Sequence, residues 1–497
     1  MNYCSTRNRA VQVSAAQAIA QGIAADGGLF TPVSLPRMEP AQLRDMMNMS
    51  YTQRAELVMG LFLPDYTEEE LKACVTQAYA GHKFGGSPAP LTRLNDSVSV
   101  LELWHGPTCA FKDMALQMLP HLMTRALQKS ENAGEAVILV ATSGDTGKAA
   151  LEGFKDVPGT RMVVFYPEHG VSNMQKLQMR TQEGGNVAVC AIEGNFDDAQ
   201  TGVKQIFTDP DMVQALHENG MQFSSANSIN WGRLLPQIVY YFSAYCDWAA
   251  EDPARFGTPI NFVVPTGNFG NILAGYYAKC MGLPVNRLIC ASNANNVLTD
   301  FIRTGVYDRN RLFYATESPS MDILVSSNLE RLLFELTGHD SVQTAGYMNL
   351  LQKHGKYKIG AGLRNKMQSV FYGDCCTDAE ARVALNSIFS KYNYLMDTHT
   401  AVACGVYQKY VRNTGDETPT VIVSTASPYK FADAVLKGIG APVPADDFER
   451  LALLAARSGT DIPAPIAALQ SKEVRFSGCC DKTEMKAKVR ELLGLPR

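Results

Sequence analysis

From about residue 89 the chain alternates between two kinds of apolar pattern. Short runs rich in β-branched residues and bounded by turn residues fall at 98–103, 136–141, 161–166, 187–192, 260–264, 288–291 and 420–423. Between them, apolar positions recur at helical spacing over 114–129, 147–155, 173–182, 198–207, 231–250 and 270–280. Side chains of a strand alternate between two faces, whereas those of a helix return to one face every three or four residues. The first set is therefore predicted as strands and the second as helices. Strand–helix alternation at this spacing predicts an α/β fold whose mostly parallel sheets are covered by helices on both faces.

Residues 1–88 follow a different pattern and are predicted as a separate helical unit. A helix over 14–23 has Ser14 as its N-cap and ends before the turn Asp26-Gly27-Gly28. Two more helices are predicted over 51–62 and 68–78. The core is expected to span 89–440 as two α/β lobes, about 89–220 and 221–440. Residues 305–375 are less regular. A C-terminal extension, 441–497, holds Pro442, Pro444, Pro463 and Pro465 and a charged final helix.

With 46% hydrophobic and 19% charged residues over 497 positions, the chain can bury a large core. A dispersed net charge of -4 argues against nucleic acid or an anionic membrane as the main partner. No run is long and apolar enough for a transmembrane helix, and no signal peptide is expected. The twelve cysteines include no C-x-x-C spacing, which supports neither a zinc site nor a thioredoxin-like motif. Free thiols in this number fit a reducing cytoplasm. No metal is expected.

The candidate chemistry lies in the loops that follow the strands. Lys112 comes where the loop after 98–103 becomes a helix. A lone Lys there is ordinarily a solvated cation. The positive end of the helix and the apolar neighbours Cys109, Ala110 and Phe111 disfavour the ammonium form, as an amine nucleophile requires. After 136–141, Gly144 and Gly147 permit a tight strand-to-helix turn that presents N–H groups to an anion. The spacing is not that of a nucleotide P-loop, since Lys148 is followed by Ala149. After 260–264, Gly267-Asn268-Phe269-Gly270-Asn271 opens a helix in the same manner and lacks the dinucleotide fingerprint. Asn227, Ser228, Asn230 and Arg233 stand at another helix start, where capping and anion binding are both open readings. Thr425 follows the last strand, and His399 has both a structural and a functional reading.

His105-Gly106-Pro107-Thr108-Cys109-Ala110-Phe111-Lys112-Asp113 resembles the HGPT-x-AFKD active-site motif of threonine synthases, pyridoxal 5'-phosphate enzymes of tryptophan-synthase-β-like fold type II. Further runs resemble that family in order. They are Tyr3-x-Ser5-Thr6-Arg7, Ala25-Asp26-Gly27-Gly28-Leu29-Phe30, Ser143-Gly144-Asp145-Thr146-Gly147, Asn227-Ser228-Ile229-Asn230, Pro265 to Asn271, Asp397-Thr398-His399-Thr400-Ala401 and Ser424 to Phe431. Ser318 to Ile323 resembles a stretch of the longer fungal- and proteobacterial-like branch.

The resemblance implies two open, mostly parallel twisted sheets flanked by helices, with a helical N-terminal domain. It implies Lys112 as the Schiff-base lysine and proton shuttle. Gly267, Asn268, Phe269, Gly270 and Asn271 would cradle the cofactor phosphate, and Asp145 and Thr425 would contact the cofactor. Ser143 and Thr146 would meet the substrate carboxylate, and Asn227, Ser228, Asn230 and Arg233 its phosphate. The implied reaction converts O-phospho-L-homoserine and water to L-threonine and phosphate, the last step of threonine biosynthesis, in a monomer or homodimer. The alternative is a catabolic phospho-lyase acting on O-phosphohomoserine or O-phosphothreonine and giving α-ketobutyrate. Cys109 departs from the bulkier residue usual in the motif, and Ser427 and Tyr429 replace a His and a small residue; neither of the latter two is assigned a role.

Overall fold

The computed structural model describes residues 1–129, 134–142, 144–169 and 171–496. At the N-terminus, β1 (Tyr3–Ser5) is flanked by β2 (Gln12–Val13) and β3 (Phe30–Pro32) in a small antiparallel sheet. Helices Ala15–Gln21, Tyr51–Gly60 and Glu68–Ala78 follow the predicted pattern, each started by a Ser or Thr capping box, which satisfies otherwise orphaned N–H groups. This unit is clamped to the rest of the chain. Arg7 pairs with Glu330 at 2.8 Å, and Thr6 donates to the same carboxylate at 2.6 Å.

The remaining strands form the two predicted open sheets and one small ribbon. In chain order they are β4 (Leu91–Arg93), β5 (Val98–Glu102), β6 (Glu135–Ala141), β7 (Thr160–Pro167), β8 (Val187–Glu193), β9 (Met221–Ser224), β10 (Ile260–Pro265) and β11 (Val285–Ser292). The ribbon strands β12 (Val306–Asp308) and β13 (Lys356–Lys358) come next, followed by β14 (Phe371–Cys375), β15 (Thr420–Ser424) and β16 (Cys479–Asp481). One sheet has the order β14-β11-β10-β15-β5-β4, parallel except at the β4 edge. The other has the order β16-β8-β7-β6-β9 and is parallel throughout. The central strands are buried on both faces, as covering by helices on both sides requires.

The lobes do not divide at residue 220. β4 and β5 precede the first lobe's strands in sequence but pair into the second sheet through β15, and β9 closes the edge of the first sheet. These are long-range pairings, and no local periodicity encodes them. Nor does the 441–497 extension stand apart. Leu451, Leu454, Ile466 and Leu469 join the core beside β15, β16 extends the first sheet, and Met485, Val489 and Leu493 pack under it. The helix expected over 114–129 breaks into Asp113–Leu116 and Leu119–Gln128. Pro120, which has no N–H to donate, sits in the first turn of the second piece, where a proline is tolerated.

The Trp231–Ala250 helix is buried on nearly every face and runs through the middle of the molecule. Its Trp231 ring lies 5.3 Å from Tyr3, 5.6 Å from Phe62 and 5.8 Å from Tyr277, so one side chain joins the N-terminal unit to the core. The loops leaving the carboxyl ends of β5, β6, β10 and β15 carry the motif residues; in open parallel sheets that is where ligand crevices form.

Candidate active site

The Lys112 turn is held from both sides. Leu103 N–H donates to Ser424 O at 3.0 Å, Phe111 N–H to Thr425 O at 2.8 Å, and Ser427 N–H to Cys109 O at 3.0 Å. These bonds continue the β5–β15 pairing into the loops. Cys109 is left-handed, with φ 57°, a conformation that a side chain of this size adopts only under constraint. Within the turn, Asp113 accepts from Thr108 N–H at 2.8 Å and from Thr108 Oγ1 at 2.7 Å. Burial pushes the Asp113 carboxyl up to about 6, against the bonds from Thr108. A Cβ on Gly106 would stand 2.6 Å from that of Asp113, so the turn closes only with glycine there.

Lys112 begins this turn with its side chain mostly buried, 12% exposed. Its Nζ donates to Ser320 Oγ at 3.3 Å and lies 3.9 Å from Asp145 Oδ2. Burial pushes the amine down; Asp145 resists, while Lys430 and Arg233 add to the fall, and the result is about 8. Burial pushes the Asp145 carboxyl the other way, but Lys430 and Lys112 overcome it and hold it below the usual carboxylate range. Asp145 Oδ1 receives Lys430 Nζ at 2.8 Å and Gln175 Nε2 at 3.0 Å, and Ser320 Oγ approaches Oδ2 at 3.4 Å. Lys430 completes its environment on Thr108 O at 2.9 Å. The centre is thus a buried lysine–carboxylate–lysine array.

Two of its members escaped the sequence reading. Lys430 sits in a turn whose residues are all buried; a lysine there, in Ser427-Pro428-Tyr429-Lys430-Phe431, was the available signal, since buried cations require a partner. Ser320 comes from the irregular 305–375 stretch, where no periodicity marks it. His399 positions it. Ser320 N–H donates to His399 Nε2 at 3.1 Å, which leaves His399 Nδ1 as the donor to Asp397 Oδ2 at 2.6 Å. Both ring nitrogens are therefore committed, and His399 acts on the site only through Ser320.

The Gly267 loop leaves β10 beside this array. Phe269 is left-handed, with φ 61°, and starts the Gly270–Cys280 helix. A Cβ at Gly267 would meet Ser320 O at 2.8 Å, so glycine here allows the loop to approach the segment that carries Ser320. Asn268 is exposed and Gly267 half-buried, so the tip of the loop is open to solvent. Asn271 Oδ1 accepts from Tyr240 OH at 2.7 Å and Tyr241 OH at 2.8 Å, while its Nδ2 is buried with no partner. The Thr425 side chain is buried at the end of β15, adjoining the Lys112 turn.

The 227–233 segment divides into two kinds of residue. Asn230 caps the central helix. Its Oδ1 accepts Gly232 N–H at 2.8 Å, and its amide donates to Ser225 O at 2.8 Å and Ile19 O at 3.0 Å. Both amide hydrogens are consumed, so Asn230 shapes the segment and is not free to bind substrate through them. Arg233 is the opposite case. It is buried, donates to Ala226 O at 2.9 Å, leaves Nε without a partner, and has no carboxylate within ion-pair distance among the described residues. Burial pushes its pKa down to about 10. An uncompensated buried guanidinium is costly and suits an incoming anion. Asn227 is exposed and Ser228 and Thr146 are half-buried. Ser143 lies outside the described residues.

The site therefore offers one amine with a lowered pKa and two features suited to an anion, the Gly267 loop with Asn271 and the Arg233 guanidinium. That fits a phosphorylated cofactor and a phosphorylated substrate. Comparison with known proteins agrees. Residues 2–79 match the model of the threonine synthase N terminus, 84–345 that of pyridoxal-phosphate dependent enzymes and 400–489 that of the threonine synthase C-terminal region. Threonine synthase of Pseudomonas aeruginosa is 39% identical over 443 residues, 88% of this chain and 91% of that one. The chain belongs to the threonine synthase family.

Its fold agrees with solved threonine synthases. PLP-bound threonine synthase from Brucella melitensis matches with a TM-score of 0.88 at 36% identity, and that from yeast with 0.88 at 31%, each over 99% of both chains. Human threonine synthase-like 1 is 42% identical over 434 residues; the match covers 85% of this chain and 58% of that protein's length. Among the described residues no helix is long and apolar enough to cross a membrane, and no group of His, Cys, Asp and Glu is placed to hold a metal ion. All twelve cysteines are free thiols.

Proposed function

We propose that this protein binds pyridoxal 5'-phosphate and converts O-phospho-L-homoserine and water to L-threonine and phosphate. The observation that carries the reading is the placement of Lys112, an amine lowered to about 8, 3.9 Å from Asp145, with Arg233, which has no carboxylate partner among the described residues, near enough to lower it further. Gly267, Asn268, Phe269, Gly270 and Asn271 would hold the cofactor phosphate, with the free Asn271 Nδ2 available to it. Asp145 and Thr425 would face the cofactor ring, and Lys112 would hold the cofactor. When bound, pyridoxal phosphate supplies the electron sink that makes a proton on the substrate Cα removable.

The chain's own groups do the rest. Lys112 removes the Cα proton and later moves one at Cβ; an amine with pKa near the working pH exchanges protons efficiently in both directions. Ser320 Oγ keeps Nζ directed toward Asp145 between these transfers. Arg233, with Asn227 and Ser228, binds the substrate phosphate and stabilises its departure from Cγ. Thr146 and Ser143 receive the substrate carboxylate. Asn230 contributes by fixing the start of the helix that carries Arg233.

Arg233→Gln is expected to raise KM for the phosphorylated substrate by about ten- to a hundredfold, the value of one or two charge-assisted hydrogen bonds. The same change is expected to stabilise the unliganded protein, because it removes an uncompensated buried charge. Steady-state kinetics and a thermal melt check both signs; an unchanged KM would remove Arg233 from phosphate binding.

The reaction is tested by incubating the cofactor-loaded protein with O-phospho-L-homoserine and measuring phosphate, threonine and α-ketobutyrate together. Equal phosphate and threonine is the expected result. Phosphate with α-ketobutyrate would overturn the synthase reading in favour of the phospho-lyase, and no phosphate would overturn the substrate assignment.

A further inference from the structure

On the opposite side of the Lys112 turn lies an open cavity of about 720 Å³, bordered by the Glu68–Ala78 and Leu119–Gln128 helices, the end of the Asp145–Phe154 helix and Pro465. Lys112, Asp145, Ser320 and Arg233 do not line it. Its volume is that of a small-molecule site. Two of its cations, Lys83 and Arg125, form no ion pair among the described residues. Lys83 Nζ donates to Gln117 Oε1 at 3.0 Å, and Arg125 Nη1 to Gln128 Oε1 at 3.1 Å. Neither cation has a carboxylate within ion-pair distance among the described residues. Burial lowers the Lys83 pKa, against the pull of Glu152 and Asp113, and pushes His121 down to about 4, with Lys83 and Arg125 adding to the latter. His121 is thus neutral at physiological pH and adds no third charge, while Lys83 and Arg125 feel Glu152, Asp113 and Glu70 only at longer range than an ion pair.

Two acids also line the cavity, and each has a partner outside the Lys83–Arg125 pair. Glu152 is paired with Lys148 at 3.0 Å and accepts from Gln182, and Asp156 accepts Gly185 N–H at 2.8 Å. Lys155 is paired with Glu183. Gln117 adds an independent sign of a missing partner. Its Oε1 is fixed by Lys83, and its Nε2, buried in the cavity wall, has no acceptor. A buried amide donor without an acceptor costs about 1–3 kcal/mol, which an anion or carbonyl drawn in beside it would offset.

We propose that this cavity is a second binding site, separate from the catalytic crevice, for a small metabolite bearing at least two negative charges, held by Lys83 and Arg125. The site touches the catalytic lysine through the backbone. Gln117 N–H donates to Asp113 O at 2.9 Å and Leu116 N–H to Lys112 O at 2.8 Å, so Gln117 closes the turn that Lys112 begins.

The probe is selenate, a dianion that can be located by its anomalous scattering. Crystals of the cofactor-loaded enzyme soaked in selenate are expected to show a peak within hydrogen-bonding distance of Lys83 and Arg125. In calorimetric titration of the same enzyme, Lys83→Gln and Arg125→Gln are each expected to weaken that binding about tenfold, the loss of one charge-assisted bond. Because selenate can also enter the catalytic anion site, the titrations are run in an Arg233→Gln background, which weakens that site and does not touch the cavity lining. The proposal is overturned if no peak lies in the cavity. It is also overturned if the Lys83 and Arg125 variants bind selenate as the parent does, which would make any peak an adventitious ion only.

Discussion

Lys112→Ala is expected to lower turnover by at least about a thousandfold, because the variant loses a proton shuttle whose positioned transfers each contribute on the order of 10² to 10⁴. It is also expected to remove the visible absorption of the cofactor-loaded protein. Lys112→Arg should fare no better. Arginine keeps a cation beside Asp145 but stays protonated at any working pH and offers no free amine. A variant of either kind that kept both turnover and absorption would take Lys112 out of the mechanism.

The same lysine sets a pH signature. Its folded pKa of about 8 lies below the unfolded value of about 10.4. Between those values the unfolded chain binds more protons than the folded one, so stability of the unliganded protein rises with pH across that window. Below about pH 8 both states hold the proton, and the cost of burying the ammonium is fully present. In Lys112→Ala this contribution is expected to vanish, flattening the thermal midpoint between pH 8 and 10 relative to the parent.

The sheets and the Lys112 turn were legible because their signals are local. A strand such as β10 is a β-branched run followed by a glycine loop, and the Lys112 motif is contiguous from His105 to Asp113. What the chain concealed is long-range. The pairing of β5 with β15, the addition of β16 to β8 and the joining of both lobes by the tail depend on which apolar faces meet, and several solutions share one pattern. The site repeats this division. Lys112 and Asp145 stand in recognisable loops. Ser320 reaches Lys112 from an irregular segment, and Lys430 reaches Asp145 from a turn in which nothing but its burial distinguishes it. Asn230 carried the right helix-start signal, and of its two open readings the capping one accounts for its hydrogen bonds.

Asp145→Asn is the substitution expected to cost most in stability. The carboxylate is the only acid paired with Lys430 among the described residues, and Lys430 is fully buried. Without it, the ammonium retains Thr108 O and a neutral amide. Breaking a buried ion pair by removing one partner typically costs about 3–5 kcal/mol, far more than the pair itself contributes over an apolar replacement. A large fall in the thermal midpoint is therefore expected at pH 7. In the parent, the lowered Asp145 pKa contributes stability that is complete above the unfolded value of about 3.9 and is lost as pH falls through the folded one. The variant should lack that acid-side loss.

Two further readouts separate this account from a generic packing defect. Asp145→Asn/Lys430→Met removes the stranded cation along with its partner and should recover most of the lost stability, since an apolar side chain needs no countercharge in that position. Asp145 also raises the Lys112 pKa, so in the single variant the Lys112 amine should titrate below about 8. A single variant as stable as the parent, or a double variant no more stable than the single, would show that the Lys430 charge is not what Asp145 compensates.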